Sequence, residues 1–131
     1  MVARAAVVSL LVVACGTAFS AATRIPADFK YTNLSTEVSF WGHNDYRPTP
    51  DTREATAAGI ANLVNQYPQN ADYHVLAART YEWLAYFTFN PEAAVGYRQQ
   101  SKNYQELAIK LRPAHSYSRE VGGPRFRNPV N

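Results

Sequence analysis

The chain of 131 residues has a single cysteine, Cys15, so no disulfide can form within it. Its formal net charge is only +3. That excess lies from Arg112 onward, which leaves a nearly neutral body and a basic tail. Because lysine and arginine are not clustered on one face, the composition does not fit a nucleic-acid-binding protein.

The usual patterns of catalytic chemistry are also absent from the sequence. His43, His74 and His115 are far apart, and none pairs with cysteine or glutamate at the spacing of metal ligands. There is no glycine-rich phosphate loop, nucleophile elbow or pair of carboxylates on one face. His43-Asn44-Asp45 is the only close polar trio. Its residue types predict a turn, and an acid-base or metal role for it stays open. We therefore predict no enzyme, no metal and no cofactor.

Residues 1–22 have the pattern of an N-terminal leader. One charge, Arg4, precedes an apolar run over residues 5–14, and small residues follow, which is the order of a secretory signal. Two alternatives stay open. The segment before Cys15 resembles a lipobox, which would make Cys15 a lipidation site, and the apolar stretch to residue 22 is barely long enough for an uncleaved membrane anchor. Each alternative predicts an exported, periplasmic or membrane-anchored protein that associates with the membrane through this leader.

Residues 23–50 are rich in aromatic side chains and show little periodicity. Pro26, Pro48 and Pro50 disfavour a long helix at the ends of the segment. The aromatic residues are too many for a solvated linker. We predict an extended arm lying along the helices, in which residues 37–41 are a candidate short strand.

Residues 51–113 predict an all-α domain, a helical hairpin plus one preceding helix. The first helix is expected to begin at Asp51, where the spacing to Glu54 is that of a capping box, and to end before Pro68. A second is expected between the cap Asn70 and a point near Phe87, and a third from Asn90-Pro91 to Pro113. Residues 114–131 read as an irregular basic tail.

Three stretches of this domain resemble a tetratricopeptide repeat. Residues 62–70, NLVNQYPQN, resemble the end of a preceding repeat. Residues 77–85, AARTYEWLA, resemble the middle of the first repeat helix, and residues 108–113, AIKLRP, the end of the second. The closing proline falls later than in that family, and the turn region is longer. The resemblance implies about one and a half repeats, so the aromatic arm or a second chain would have to cover the exposed face.

The candidate binding residues are Arg79, Trp83, Tyr86 and Trp41, since aromatic and arginine side chains commonly anchor partners. A packing role for Trp83, covered by the stem of Arg79, is the alternative. Small exported proteins with similar repeats occur in bacterial clusters for surface polysaccharide assembly. The resemblance implies a non-enzymatic binding or scaffold protein of the cell envelope, with an envelope or membrane protein or a polysaccharide as partner. The alternative is a structural accessory subunit docked in a larger membrane protein complex.

Overall fold

The structure is a computed structural model that describes residues 26–114. These residues form four α-helices and no strand: α1 over residues 26–40, α2 over Pro50–Gln66, α3 over Ala71–Phe87 and α4 over Pro91–Leu111. A short 3-10 helix, His43–Asp45, lies between α1 and α2. For the described residues, the predicted all-α class is confirmed.

The chain divides into two compact units, Met1–Thr32 and Asn33–Asn131. The division falls inside α1. In the described part of the first unit, the Thr32 hydroxyl donates to the Asp28 carbonyl over 2.9 Å. The last two turns of α1, the 3-10 helix and α2 to α4 belong to the second unit.

The helix α1 corrects the prediction of an extended arm with a strand at residues 37–41. No proline interrupts the chain between Pro26 and Pro48. Leu34, Val38 and Trp41 follow one another at i, i+4 and i+7, which is the spacing of one helical face. Val38 and Trp41 are 1% and 2% exposed. The aromatic residues of this segment therefore belong to an amphipathic helix and to the turn that follows it.

The start of α2 differs slightly from the prediction. Its N-cap is Thr49 rather than Asp51, because the Thr49 hydroxyl accepts from the Thr52 backbone N–H at 3.2 Å and Pro50 occupies the first helical position. Gly59 allows a close approach between α1 and α2. A Cβ built on it would lie 3.1 Å from a methyl carbon of Leu34 on α1.

The helices α3 and α4 form an antiparallel hairpin joined by a three-residue loop, residues 88–90. Both predicted caps are confirmed. The Asn70 side chain accepts from the Asp72 N–H at 3.0 Å, and that of Asn90 accepts from the Glu92 N–H at 2.9 Å. The end of α4 is tied to the start of α3 by an ion pair of 2.9 Å between Arg112 and Asp72. The helix α3 packs against both α2 and α4 and supplies much of the core.

Candidate ligand-binding groove

The chain turns sharply where α1 ends. Gly42 has a φ of +73°, in the left-handed region that favours glycine. Its N–H donates to the Tyr46 carbonyl at 3.0 Å, and the Tyr46 N–H donates to the His43 carbonyl at 2.9 Å. Asn44 and Asp45 also have positive φ, which their residue types tolerate. The trio at residues 43–45 thus forms the predicted turn.

Trp83 of α3 packs directly on this turn. A Cβ on Gly42 would lie only 2.4 Å from the Trp83 ring. Trp83 is stacked on Phe87 with ring centroids 5.4 Å apart and planes at 19°, and Trp41 meets Phe87 edge-on at 6.0 Å. Tyr86 contacts both Trp83 and Phe87 edge-on. We call these five residues, Trp41, Gly42, Trp83, Tyr86 and Phe87, the aromatic corner.

Glu37 fixes the polar atoms at the edge of this corner. One carboxylate oxygen accepts both the Trp41 indole N–H, at 3.0 Å, and the Tyr46 hydroxyl, at 2.9 Å. The hydrogen bond to Glu37, followed by burial and the carboxylate charge, raises the pKa of Tyr46. Trp41 is therefore buried with its N–H satisfied, as a packing side chain requires.

The structure brings three of the four predicted binding residues, Trp41, Trp83 and Tyr86, together in the aromatic corner. Of these, Trp41 is buried, Trp83 lies under Gly42, and Tyr86 is 42% exposed. Arg79 lies one helical turn before Trp83, and its Nε is enclosed without a hydrogen-bond partner among the described residues. The geometry of Trp41 and Trp83 matches a packing role, and a binding role for the set stays a prediction.

An open groove lies beside the aromatic corner, with α2 as one wall and α3 as its floor. Its cavity volume is about 650 Å³. The α2 wall is low, because its middle consists of Ala57, Ala58 and Ala61. Tyr81 and Leu84 of α3 are among the lining residues. The complete set is Pro50, Arg53, Glu54, Ala57, Ala58, Ala61, Tyr81, Leu84, Phe87, Thr88, Phe89 and Tyr97.

A smaller cavity of about 400 Å³ lies next to the groove on the α4 side. Tyr81 and Tyr97 line both cavities, and Gly96 lines the second. A Cβ on Gly96 would meet no atom within 4 Å, so this side is open. The surface available to a ligand therefore continues from α2 across α3 to the first half of α4.

Stacked rings hold the tyrosines of the floor in place. Tyr81 is stacked on Tyr104 at 5.6 Å and 25°, and its ring lies 6.0 Å from that of Tyr97. Burial, followed by the neighbouring Tyr104 and Tyr97 hydroxyls, raises the pKa of Tyr81. Its hydroxyl is therefore neutral at physiological pH and can both donate and accept.

Arg53 is the cationic group of the groove. Its Nη1 donates to the Phe87 carbonyl at 3.3 Å, and its guanidinium carbon lies 5.4 Å from the centre of the Phe87 ring. Its Nε is buried without a partner among the described residues. Phe89, at the rim, is fully exposed. The groove thus combines a fixed cation, methyl groups and free aromatic surface.

The sequence prediction missed Arg53, Tyr81 and Tyr97 as groove residues. The helical spacing of α2 predicts one apolar stripe of Ala57, Ile60, Ala61 and Val64. Ile60 and Val64 are buried, whereas the two alanines are only partly covered and line the groove. The available signal was the cluster of small residues that follows Arg53 on one helix, since small side chains leave room for a ligand.

The described residues hold no cluster of three or more histidine, cysteine, aspartate or glutamate side chains that would suit a metal ion. Within residues 26–114 no helix is long and apolar enough to cross a membrane. The predicted leader, with Cys15, and residues 115–131 of the tail lie outside the described residues. Comparison with protein-family models, with curated proteins and with solved structures finds no match for this chain.

Proposed function

We propose that this chain is a non-enzymatic binding or scaffold protein of the cell envelope whose partner lies in the groove between α2 and α4. One observation carries the proposal: the groove is open and lined by aromatic rings held in place by packing. A volume of about 650 Å³ lies within the range of ligand sites.

The exposure of Phe89 supports the same conclusion. Its side chain is 100% exposed at the groove rim, whereas Trp41 of the aromatic corner is buried. Burial of a phenylalanine side chain contributes about 1.5–3 kcal/mol. A partner seated in the groove would gain that free energy. Because Tyr81 is already stacked on Tyr104, it would lose little side-chain entropy on binding.

The cellular setting of the proposal comes from the sequence. The leader pattern at residues 1–22 supports an envelope location, and the repeat-like stretches at residues 77–85 and 108–113 support a role in holding other molecules. The likeness to small exported proteins of polysaccharide assembly makes support of surface polysaccharide assembly or export the proposed process.

A second candidate is a structural accessory subunit of a larger membrane complex. The observation that favours it is apolar surface outside the groove. Phe40 is 51% exposed, Val95 65% and Leu107 43%. Such side chains would be covered in a stable complex.

Site-specific photo-crosslinking in the source cells tests both candidates. A photoreactive amino acid replaces Ala58 in the groove, Phe40 outside it, or the exposed Lys102 of α4 as the matched control. The proposal predicts a crosslinked product of defined mass from position 58 and none from Lys102. A product from position 40 with none from position 58 would reject the groove and support the accessory subunit.

A further inference from the structure

Arg53 is the one cation among the groove residues that the structure describes. Its side chain is only partly exposed, and no carboxylate in the described part of the chain lies within 4.0 Å of it. Glu54 also lines the groove, but adjacent residues on a helix point about 100° apart. A partly buried charge without a counter-ion is unfavourable. An anionic group of a partner, placed beside the Arg53 guanidinium, would lower this cost of partial burial.

The way Arg53 is held matches recognition of a carboxylate. A guanidinium group has five N–H donors in a planar fork. The Phe87 carbonyl accepts one hydrogen bond from Nη1, and the guanidinium carbon lies over the Phe87 ring. The group is therefore oriented before a ligand arrives. Arginine pairs with carboxylates through such a fork, and lysine cannot reproduce it.

The surface next to Arg53 favours an apolar side chain over a sugar. Along α2 the lining residues after Glu54 are Ala57, Ala58 and Ala61, and none of them has a polar side chain. A sugar placed on this strip would lose hydrogen bonds between its hydroxyl groups and water without replacing them. An aliphatic or aromatic side chain placed there, against Phe89, loses none.

We infer that the groove takes a peptide segment of a partner protein, with an aspartate or glutamate paired to Arg53 and an apolar side chain on the alanine strip. The inference rests on the proposed binding function and deepens it, since it names the chemistry of the partner. It places the specificity of the site in one residue, Arg53.

Two capped peptides test the inference, Ac-Glu-Ala-Ala-Phe-NH2 and its counterpart with glutamine in place of glutamate. Both are titrated into the full ¹⁵N-labelled chain, and binding is followed through the amide signals of Ala58 and Ala61. The glutamate peptide is expected to bind about tenfold more tightly, the effect of one charge-assisted hydrogen bond at a partly solvated site. A glucuronate oligosaccharide, acidic but not apolar, is expected to bind more weakly than the glutamate peptide.

Variants of Arg53 separate recognition from folding. In Arg53→Gln the two peptides should bind equally, and in Arg53→Lys the preference should fall to about threefold because the fork is lost. Arg98→Gln is the matched control, an exposed arginine of α4 that is not among the groove residues, and it should keep the full preference. An unchanged amide spectrum outside the groove shows that each variant is folded.

Several results would overturn the inference. If the unmodified chain bound the two peptides equally, or bound neither, the proposed pairing of a ligand carboxylate with Arg53 would be rejected. If position 58 still crosslinked a partner in that case, the proposed binding function would stand without this pairing. If the glucuronate oligosaccharide bound more tightly than the glutamate peptide, and Arg53→Gln abolished that binding, the groove would be assigned to an acidic glycan. Shifts of Ala58 on dilution of the protein alone would assign it to a second copy of the chain.

Discussion

Replacement of Gly42 by alanine is the sharpest test of the aromatic corner. The residue has a φ of +73°, and its Cα faces the ring of Trp83. A left-handed backbone costs about 1–2 kcal/mol for a residue with a Cβ. The new Cβ would lie 2.4 Å from Trp83 Cη2, well inside contact distance.

The ring of Trp83 cannot move away freely. Phe87 is stacked on it at 5.4 Å, and Tyr86 lies against it at 5.6 Å. Overpacking of this kind costs about 1–3 kcal/mol. The two contributions together predict a loss of about 2–5 kcal/mol in the free energy of unfolding. For a small domain that is a large part of the total.

Urea unfolding followed by circular dichroism and tryptophan fluorescence measures this loss. The chain has two tryptophans, Trp41 and Trp83, and both lie in the corner. Fluorescence therefore reports on the corner and circular dichroism on all helices. Gly96→Ala is the matched control. Its Cβ would meet nothing within 4 Å, so helix propensity alone should raise stability by about 0.5–1 kcal/mol.

A second background separates backbone strain from the clash. In a Trp83→Leu chain, Gly42→Ala should cost only the backbone part, about 1–2 kcal/mol. If Gly42→Ala in the natural background changed stability by less than about 0.5 kcal/mol, as an ordinary surface substitution does, the packing assigned to Trp83 would be wrong. Trp83 would then be available again as a binding residue.

Three smaller effects follow from the same structure. Asn90→Ala removes the cap of α4 and should lower stability by about 1 kcal/mol in thermal unfolding. Asn90→Asp keeps a capping side chain and should be about as stable as the natural chain. An equal loss of stability in both variants would exclude capping as the cause. The pKa of Tyr81 is raised in the folded state. The stability that its neutral hydroxyl contributes is therefore fully present below the unfolded pKa of about 10, and it is lost as pH rises through the folded pKa. Unfolding measured from pH 9 to 11.5 should therefore depend less on pH in Tyr81→Phe, and an unchanged slope would contradict the burial of this hydroxyl. Arg112→Gln breaks the ion pair with Asp72, in which the two side chains are 46% and 47% exposed. The substitution should therefore lower stability by less than about 1 kcal/mol, and by nothing in high salt. A larger loss would mean that the Arg112 side chain also contributes packing.

Some parts of the fold follow from neighbouring residues alone. Asn70, Asn90 and Pro91 mark helix starts because a side-chain amide accepts from N–H groups two or three residues ahead, and proline has no N–H to lose. Such interactions are complete within one turn. For the same reason His43-Asn44-Asp45 could be predicted as a turn.

The arm was predicted wrongly because its aromatic content outweighed its periodicity. Leu34, Val38 and Trp41 already lie at helical spacing, but only the packing of Trp41 on Phe87 and of Leu34 on Gly59 shows that this face is buried. The prolines around the segment mark where a helix cannot continue. They do not prevent a helix between them.

The sequence by itself determined the helical class, the bounds of α2 to α4 within a residue, and the turn after α1, since each depends on hydrogen bonds between near neighbours. Tertiary structure alone decided which aromatic residues became core and which became surface. Trp41 packs on Phe87, and Trp83 packs on Phe87 and Gly42. Arg53 and Phe89 instead line an open groove. The difference depends on how α2 and α3 pack, which brings together residues more than thirty positions apart, as in the hydrogen bond from Arg53 to Phe87.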